Sequence, residues 1–176
     1  MVVDHEKYDV KIIRPPMRDE DFKLRRQPMP PARRRAIVKA LRVFHNLETM
    51  AMTIYRFQIT KEETELNRQL IAAMCNEMTH HQDFQVKLYE YGARPSLLRV
   101  GYWIVGFCFG FFSRLRGKKR ILRTGVWVET KAVHHYAQLL DSIDWDDDTR
   151  RMIEKDQTDE DGHISRWVAL LESGEY

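Results

Sequence analysis

Two short segments of the sequence each place a histidine three residues after a glutamate. In CNEMTHHQDF the pair is Glu77 and His80, and in TDEDGHISRW it is Glu160 and His163. Residues three apart lie on the same face of a helix, so each carboxylate and imidazole would point the same way. A single pair of this kind is more often an ordinary polar contact on a solvated surface. Two copies in one chain favour a shared metal site.

A single glutamate precedes each pair in an apolar, helix-like run. These are Glu48 in NLETMAMTIYRFQ and Glu129 in GVWVETKAVHHYAQ. Glu48 lies 29 residues before Glu77, and Glu129 lies 31 residues before Glu160. A separation of about 30 residues allows one helix, a short connection and an antiparallel return to the same depth. The sequence therefore predicts a helical hairpin used twice, each contributing one Glu and one Glu-x-x-His.

This pattern is similar to the ligand set of ferritin-like di-metal carboxylate proteins, in which two helices each supply a Glu and two others each supply Glu-x-x-His. Carboxylates and neutral imidazoles suit iron or manganese, and four carboxylates would repel one another if buried without cations. We therefore expect an all-α, ferritin-like four-helix bundle built from two helical hairpins around two metals, with Glu129 bridging them. The alternative is that some of the six residues face solvent, above all Glu160 and His163, which lie in an acidic stretch.

Proline, glycine and capping residues divide the chain into predicted elements. Residues 1–31 are basic and Pro-rich, and we expect an N-terminal arm there, followed by a single ferritin-like domain over residues 32–176. Thr60 is the predicted N-cap of the second helix, and the acidic run DWDDDTRR is expected to open the last one. Bundle helices are predicted over about residues 32–59, 60–91 and 118–141, and from the acidic run onward.

An uncharged, aromatic-rich segment, VGYWIVGFCFGFF, lies between the two predicted hairpins at residues 100–112. As a helix it would be about 20 Å long, which is short of the roughly 30 Å hydrocarbon core of a bilayer. The basic cluster RLRGKKR follows it and suits anionic lipid head groups. We expect residues 97–116 to be an interfacial membrane segment that covers an apolar entrance to the metals. The alternative is a core-capping helix that links the hairpins.

The composition of the chain indicates the cell compartment in which the protein is expected. A hydrophobic content of 43% with 31% charged residues excludes global disorder. Two cysteines, Cys75 and Cys108, cannot form a disulfide scaffold and fit a reducing compartment. The first residues lack the apolar core of a signal peptide and hold too many acids for a mitochondrial presequence. We expect a cytoplasmic protein, peripheral on the inner face of the cell membrane, with no nucleic-acid partner.

The segment RPSLLRVGYWIVGFCFG, followed by VETKAVHHY at the expected distance, resembles the demethoxyubiquinone hydroxylase family, the di-iron monooxygenases of ubiquinone biosynthesis. The resemblance spans about residues 38–167. It implies His135 and Tyr136 as a His–Tyr pair beside the metals, with Tyr136 placed to guide the substrate ring or relay electrons. The iron ligands that it implies are Glu48, Glu77, His80, Glu129, Glu160 and His163.

The same resemblance implies O2 activation by two iron ions and hydroxylation of a polyprenyl benzoquinone ring, demethoxyubiquinone to demethylubiquinone, with NADH as the electron source. It also implies that the protein binds an anionic membrane surface and a lipid-binding partner protein of the ubiquinone-synthesis complex, and that it forms a homo-oligomer.

The sequence departs from the family at NLETMA, where Leu47 and Met50 replace glycines. These bulkier residues predict a narrower substrate pocket.

Three other interpretations fit parts of the sequence. One is a ferritin-like iron-binding or oxidase protein without an organic substrate, and another is a divergent member acting on another quinone or lipid. A membrane-associated scaffold whose metal site has decayed is disfavoured by the complete set of six ligands. The apolar segment separates the quinone-ring monooxygenase from the iron-binding or oxidase protein, because a lipid substrate needs such a segment and iron storage does not.

Overall fold

Five α-helices account for most of residues 17–25 and 29–176, which are the residues described in a computed structural model, and no strand occurs among them. The helices are α1 (Pro31–Gln58), α2 (Glu65–Glu90), α3 (Arg99–Leu115), α4 (Lys118–Ser142) and α5 (Asp147–Ser173). α1 packs against α2 and α4 against α5, while α3 packs on α1. The all-α, ferritin-like bundle of two hairpins with an extra apolar helix is confirmed. Residues 1–16 and 26–28 of the predicted N-terminal arm lie outside the described residues.

Capping side chains explain where α2 and α5 begin. Thr64 is the N-cap of α2, and its hydroxyl accepts a hydrogen bond from the backbone N–H of Asn67 at 3.3 Å. The prediction that Thr60 is this cap is wrong, because Thr60 lies in the connection and donates its own N–H to Asn67 Oδ1 at 3.0 Å. Asp146, within the predicted acidic run, caps α5 by accepting from Thr149 N–H at 3.1 Å.

Three layers succeed one another along the interior of the bundle. One apolar cluster surrounds Phe44 and Phe84 at one end, and a second surrounds Leu70 and Trp167 at the other. Between the two apolar clusters lies a layer of buried charged groups, here called the polar belt, whose members are each at most 2% exposed. The polar belt consists of Glu48, Glu77, His80, Glu129, Glu160 and His163. The structure thus buries all six residues, including the two expected in an acidic, solvated stretch.

Helix α3 packs with its small residues inward. A Cβ atom at Gly106 would lie 2.6 Å from the carbonyl oxygen of Met50, and one at Gly110 would lie 2.5 Å from that of Ile54. Glycine therefore allows α3 to approach the backbone of α1 closely. The large apolar residues of this region point outward, with exposed fractions of 49–85% at Leu97, Leu98, Val100, Ile104, Phe112 and Leu115. A helix that only capped the core would bury such side chains, so their exposure disfavours this alternative.

No helix in the described part of the chain is both long enough and apolar enough to cross a membrane.

Candidate metal centre

Side chains from α1, α2, α4 and α5 converge in the polar belt as two overlapping groups. Each group could hold a metal ion, because its candidate ligand atoms all lie within 4.8 Å of one another. The first group is Glu48, Glu77, His80 and Glu160, and the second is Glu77, Glu129, Glu160 and His163. Glu77 and Glu160 belong to both groups. This geometry favours them as the shared carboxylates, in place of Glu129, which we expected to bridge.

The polar belt contains carboxylate oxygens that lack any hydrogen bond although they are buried. They are both oxygens of Glu77, Oε2 of Glu129 and Oε2 of Glu160, although His163 Nδ1 lies 3.1 Å from Glu77 Oε1 and 3.4 Å from Glu160 Oε2. Burying an anionic oxygen without a partner is costly, and buried charges are normally paired or bound to metals. Cations between the carboxylates would satisfy these oxygens together. Donor sets of carboxylate oxygen and imidazole nitrogen, without thiolate, suit iron or manganese.

Burial and the charges of neighbouring groups shift the pKa values of the side chains in the polar belt. Burial raises the pKa of Glu48 well above its ordinary value, and the negative charge of Glu77 adds to the effect. Burial also raises the pKa of Glu129 to about 8. For His80 and His163 burial lowers the pKa, but hydrogen bonds to neighbouring carboxylates outweigh it and raise the two values to about 12 and about 11. The polar belt therefore stabilises positive charge at its centre.

Two tyrosines enter the polar belt from opposite ends of the bundle. Tyr55 follows Glu48 by seven residues on α1, and Tyr136 follows Glu129 by seven residues on α4. Tyr136 Oη donates to Glu48 Oε1 at 2.5 Å, and Tyr55 Oη donates to Glu129 Oε1. Each tyrosine thus holds the single glutamate of the other hairpin while its ring lies in one apolar cluster. Tyr55 was missed in the sequence, although its spacing repeats that of Tyr136.

The outer ring nitrogens of the two histidines face different side chains. His80 Nε2 lies 3.2 Å from Asp159 Oδ2, whereas His163 Nε2 lies 3.3 Å from Asn76 Nδ2. Both partners stand four residues before the histidine of their own helix, so they occupy equivalent positions in the two hairpins. Sequence reasoning missed both, because each partner contacts the histidine of the other hairpin and spacing along its own helix does not reveal that contact.

A cavity of about 550 Å³ reaches the polar belt between α1, α3 and α4. Its wall includes carboxylates of the polar belt, namely Glu48, Glu77, Glu129 and Glu160. Leu47 and Met50, the residues that depart from the family pattern, line it as well. Tyr102 from α3 and Trp127 from α4 complete an otherwise largely apolar wall. The arrangement can admit an apolar organic molecule to the same carboxylates that face the metal positions.

His135 and Tyr136 occupy different places relative to this cavity. His135 is half-buried and lines the cavity wall, and burial lowers its pKa. Tyr136 is fully buried, is absent from the cavity wall and directs its hydroxyl to Glu48. Its geometry suits positioning of a carboxylate better than guiding a ring.

The chain is similar to proteins named as hydroxylases of demethoxyubiquinone or demethoxyubiquinol. A mitochondrial NADPH-dependent 3-demethoxyubiquinone 3-hydroxylase of Dictyostelium discoideum is 31% identical over 137 residues, which is 75% of this chain and 63% of that protein. The 3-demethoxyubiquinol 3-hydroxylases of Cupriavidus metallidurans and of a Polaromonas species are 28% and 30% identical over 134 and 125 residues. These matches cover 76% and 70% of this chain, and 65% and 60% of the relatives. The chain therefore spans about three fifths of the length of these relatives.

The family model described as ubiquinone biosynthesis protein COQ7 matches residues 35–172, a range that contains the whole polar belt. Since this match covers most of the sequence, the chain belongs to the COQ7 family of ubiquinone biosynthesis proteins.

Proposed function

We propose that this chain is a di-iron monooxygenase that hydroxylates the ring of a polyprenyl benzoquinone, converting demethoxyubiquinone to demethylubiquinone. Membership of the COQ7 family supports this proposal, as do relatives that are named hydroxylases of demethoxyubiquinone or demethoxyubiquinol. The main observation behind the proposal is that two features of the site share the same residues. Two ligand groups share Glu77 and Glu160, and the same carboxylates line an apolar cavity.

The six residues of the polar belt would hold the two iron ions, with Glu77 and Glu160 shared between them. When bound, the di-iron pair supplies the redox chemistry that activates O2. Tyr136 and Tyr55 hold Glu48 and Glu129 in place by hydrogen bonds from their hydroxyls. Supports of this kind fix the orientation of a ligand before metal binds.

The reaction balances with O2 and a reduced nicotinamide nucleotide. A ring C–H bond is replaced by a C–OH group, so one oxygen atom enters the substrate and the other leaves as water. The nucleotide gives up a hydride, which supplies two electrons, and solvent supplies one proton. We propose NADH in this role, while the Dictyostelium relative is named as NADPH-dependent.

The cavity favours an organic substrate over an iron-handling role. Storage or oxidation of iron needs no apolar chamber beside the metals, whereas a benzoquinone ring with a polyprenyl tail needs one. His135, Leu47 and Met50 all lie in the cavity wall, where they would contact a bound ring. A bound apolar substrate would displace water from this wall, which would protect a reactive site from side reactions.

Helix α3 would bring the protein to the membrane that contains its substrate. Its exposed apolar residues and the following basic cluster suit insertion into an anionic interface, and Tyr102 of α3 lines the cavity. An inner-face, peripheral location follows from this proposal. Three further proposals rest on the family resemblance. They are a ferritin-like domain over residues 32–176, a lipid-binding partner protein and assembly into a homo-oligomer.

Complementation tests the activity. The chain is expressed in a bacterial strain that lacks its own demethoxyubiquinone hydroxylase, and the quinone pool is measured by mass spectrometry. We expect ubiquinone to be restored by the parent chain and by Glu172→Ala, which changes an exposed glutamate of α5, but not by Glu160→Ala. Persistent demethoxyubiquinone in cells that contain folded, iron-loaded parent protein would contradict the proposal. That outcome would favour another lipid substrate or the iron-handling alternative.

A further inference from the structure

The two helices that carry Glu-x-x-His differ at equivalent positions. Four residues before the histidine stands Asn76 on α2 but Asp159 on α5. Seven residues before it stands Ala73 on α2 but Asp156 on α5. One helix thus presents two carboxylates where the other presents an amide and a methyl group.

The carboxylates of α5 face the histidine of the other hairpin. His80 Nδ1 lies 3.2 Å from Glu160 within the polar belt, which leaves Nε2 on the outer side. This Nε2 lies 3.2 Å from Asp159 Oδ2 and 3.8 Å from Asp156 Oδ1. Asp156 is fully buried, and its Oδ2 lacks a hydrogen bond.

The corresponding nitrogen of His163 has a neutral partner. Its Nδ1 lies 3.1 Å from Glu77, and its Nε2 lies 3.3 Å from the amide of Asn76. The amide can present its oxygen after a 180° rotation, because nitrogen and oxygen of an amide occupy nearly the same shape. Asn76 can therefore accept a hydrogen bond from His163, but without a negative charge.

We propose that Asp159 and Asp156 are positioning residues that make the metal position at His80 bind its ion more tightly than the position at His163. A histidine that binds metal through one nitrogen and donates the other N–H to a carboxylate is fixed in orientation and becomes a more basic ligand. An amide fixes the ring but raises its basicity less. The inference rests on the two-metal centre proposed above.

Asp156 and Asp159 also contact Lys155, so any role in pairing with this lysine has to be distinguished from their role at His80. Its Nζ lies 3.4 Å from Asp156 Oδ1 and 3.4 Å from Asp159 Oδ2, so the two aspartates also form ion pairs with it. If they served only to pair with Lys155, removal of the lysine would change metal binding as much as removal of Asp159. Asp159 is a favourable site for substitution because it lines a second, open cavity of about 640 Å³.

Titration of the metal-free full chain with Co(II) alone tests the inference, since Co(II) absorption reports each ion and its ligand field. We expect two unequal steps in the parent. His80→Ala should remove the tighter step and His163→Ala the weaker one. Asp159→Asn should weaken the tighter step by about 10- to 100-fold, the size of effect known for partners of metal-bound histidines. Asp159→Glu should restore part of the loss, and Lys155→Gln should leave two unequal steps.

Asn76→Asp is the mirror experiment and should strengthen the weaker step, bringing the two together. Two equal steps in the parent, or an unchanged tighter step in Asp159→Asn with normal circular dichroism, would overturn the inference and leave the two-metal centre intact. A parent that binds fewer than two ions would overturn the two-metal centre and this inference with it. A third ion that Asp159→Asn loses would assign His80, Asp156 and Asp159 to a separate metal site and overturn the positioning role.

Discussion

The first hairpin, α1 with α2, and the second hairpin, α4 with α5, are alike where they meet and unlike elsewhere. At the centre each gives one Glu, one Glu-x-x-His and one Tyr seven residues after the single Glu. Outside the centre, α1 carries the additional helix α3, while the start of α5 is held by ion pairs. The proposed two-metal centre would need matching ligands from both hairpins, which accounts for the repeat there. Outside the centre the two hairpins pack against different neighbours, so their residues differ there.

The largest expected difference within the centre is between shared and unshared glutamates. Glu77→Ala and Glu160→Ala should each lose both metal ions, because each residue belongs to both ligand groups. Glu48→Ala and Glu129→Ala should each retain about one ion, since each belongs to one group. Elemental analysis of purified, folded variants measures this. Loss of both ions in Glu129→Ala, with one retained in Glu77→Ala, would reverse the assignment.

The outer face of α3 is expected to have the next largest effect, on membrane binding. Replacing Leu98, Ile104 and Phe112 by Ser removes three exposed apolar side chains, each worth about 1.5–3 kcal/mol when fully buried. Binding to anionic vesicles in a flotation assay should weaken by at least roughly a hundredfold. The matched control is Met78→Ser, which removes an exposed apolar side chain from α2. A triple variant that floats as well as the parent would refute the membrane role of α3.

The tyrosine pair tests how far the equivalence of the hairpins extends. Tyr55→Phe removes the donor to Glu129, and Tyr136→Phe removes the donor to Glu48. Each change should lower metal affinity by about 10- to 100-fold, the usual effect of losing a support of a metal ligand. Isothermal titration with Mn(II) compares them. Effects that differ by far more than tenfold would show that the two tyrosines have separate roles.

Substitution of glycines in α3 tests whether the close packing of this helix on α1 stabilises the protein. Gly110→Ala should destabilise the protein by about 1–2 kcal/mol, because the added Cβ atom would overlap the backbone of α1 at Ile54. Gly101→Ala is the control within the same helix, since a Cβ atom there meets nothing within 4 Å. That control should be neutral or slightly stabilising. Urea unfolding measures both, and equal effects would mean that close packing does not hold α3.

The smallest expected effect concerns the ion pairs at the start of α5. Hydrogen bonding from Lys87 lowers the pKa of Asp148 to about 2, and Lys23 contributes as well. A carboxyl with a lowered pKa in the folded state stabilises the protein above its unfolded value of 3.8 and ceases to do so as the pH falls through about 2. Asp148→Asn should therefore cost less than about 1 kcal/mol at pH 7, as expected of a partly exposed ion pair.

Urea unfolding at pH 7 and near pH 2 measures this difference, which should be much smaller at the lower pH. Asp147→Asn is the control, because Asp147 is an exposed neighbour in the same first turn of α5. An Asp148 effect that is undiminished near pH 2, or that equals the Asp147 effect at pH 7, would contradict the role of the ion pairs.

The repeat in the sequence was enough to predict the hairpins and the convergence of the polar belt. Helical spacing places Glu77 and His80 on one face, and the separation of about 30 residues returns the chain to the depth of Glu48. Burial of Glu160 and His163 could not be settled from their acidic surroundings. It depends on which face of α5 meets α2, and local composition does not specify that.

The parts that were not predicted depend on contacts between helices. The geometry favours Glu77 and Glu160 as the shared ligands instead of Glu129, and spacing along a helix does not reveal which carboxylate belongs to both groups. The cap at Thr60 was misplaced because Asn67 binds the connection instead of leaving Thr60 to start the helix. The contact of Asp159 with His80 crosses from one hairpin to the other. A periodicity argument within one helix cannot find such a contact.

The polar belt has a consequence for the amount of protein that a cell can keep. Without metal the fold must bury four carboxylates close together between its two apolar clusters, so in the proposed two-metal centre part of its stability would depend on the ions. Ligands that bind the folded chain alone stabilise it by about 2.7 kcal/mol per site at a free concentration 100 times Kd. A shift of that size changes the fraction of unfolded chains that proteases can degrade. We therefore expect the steady-state abundance of the protein to fall when iron is scarce, without any dedicated regulator.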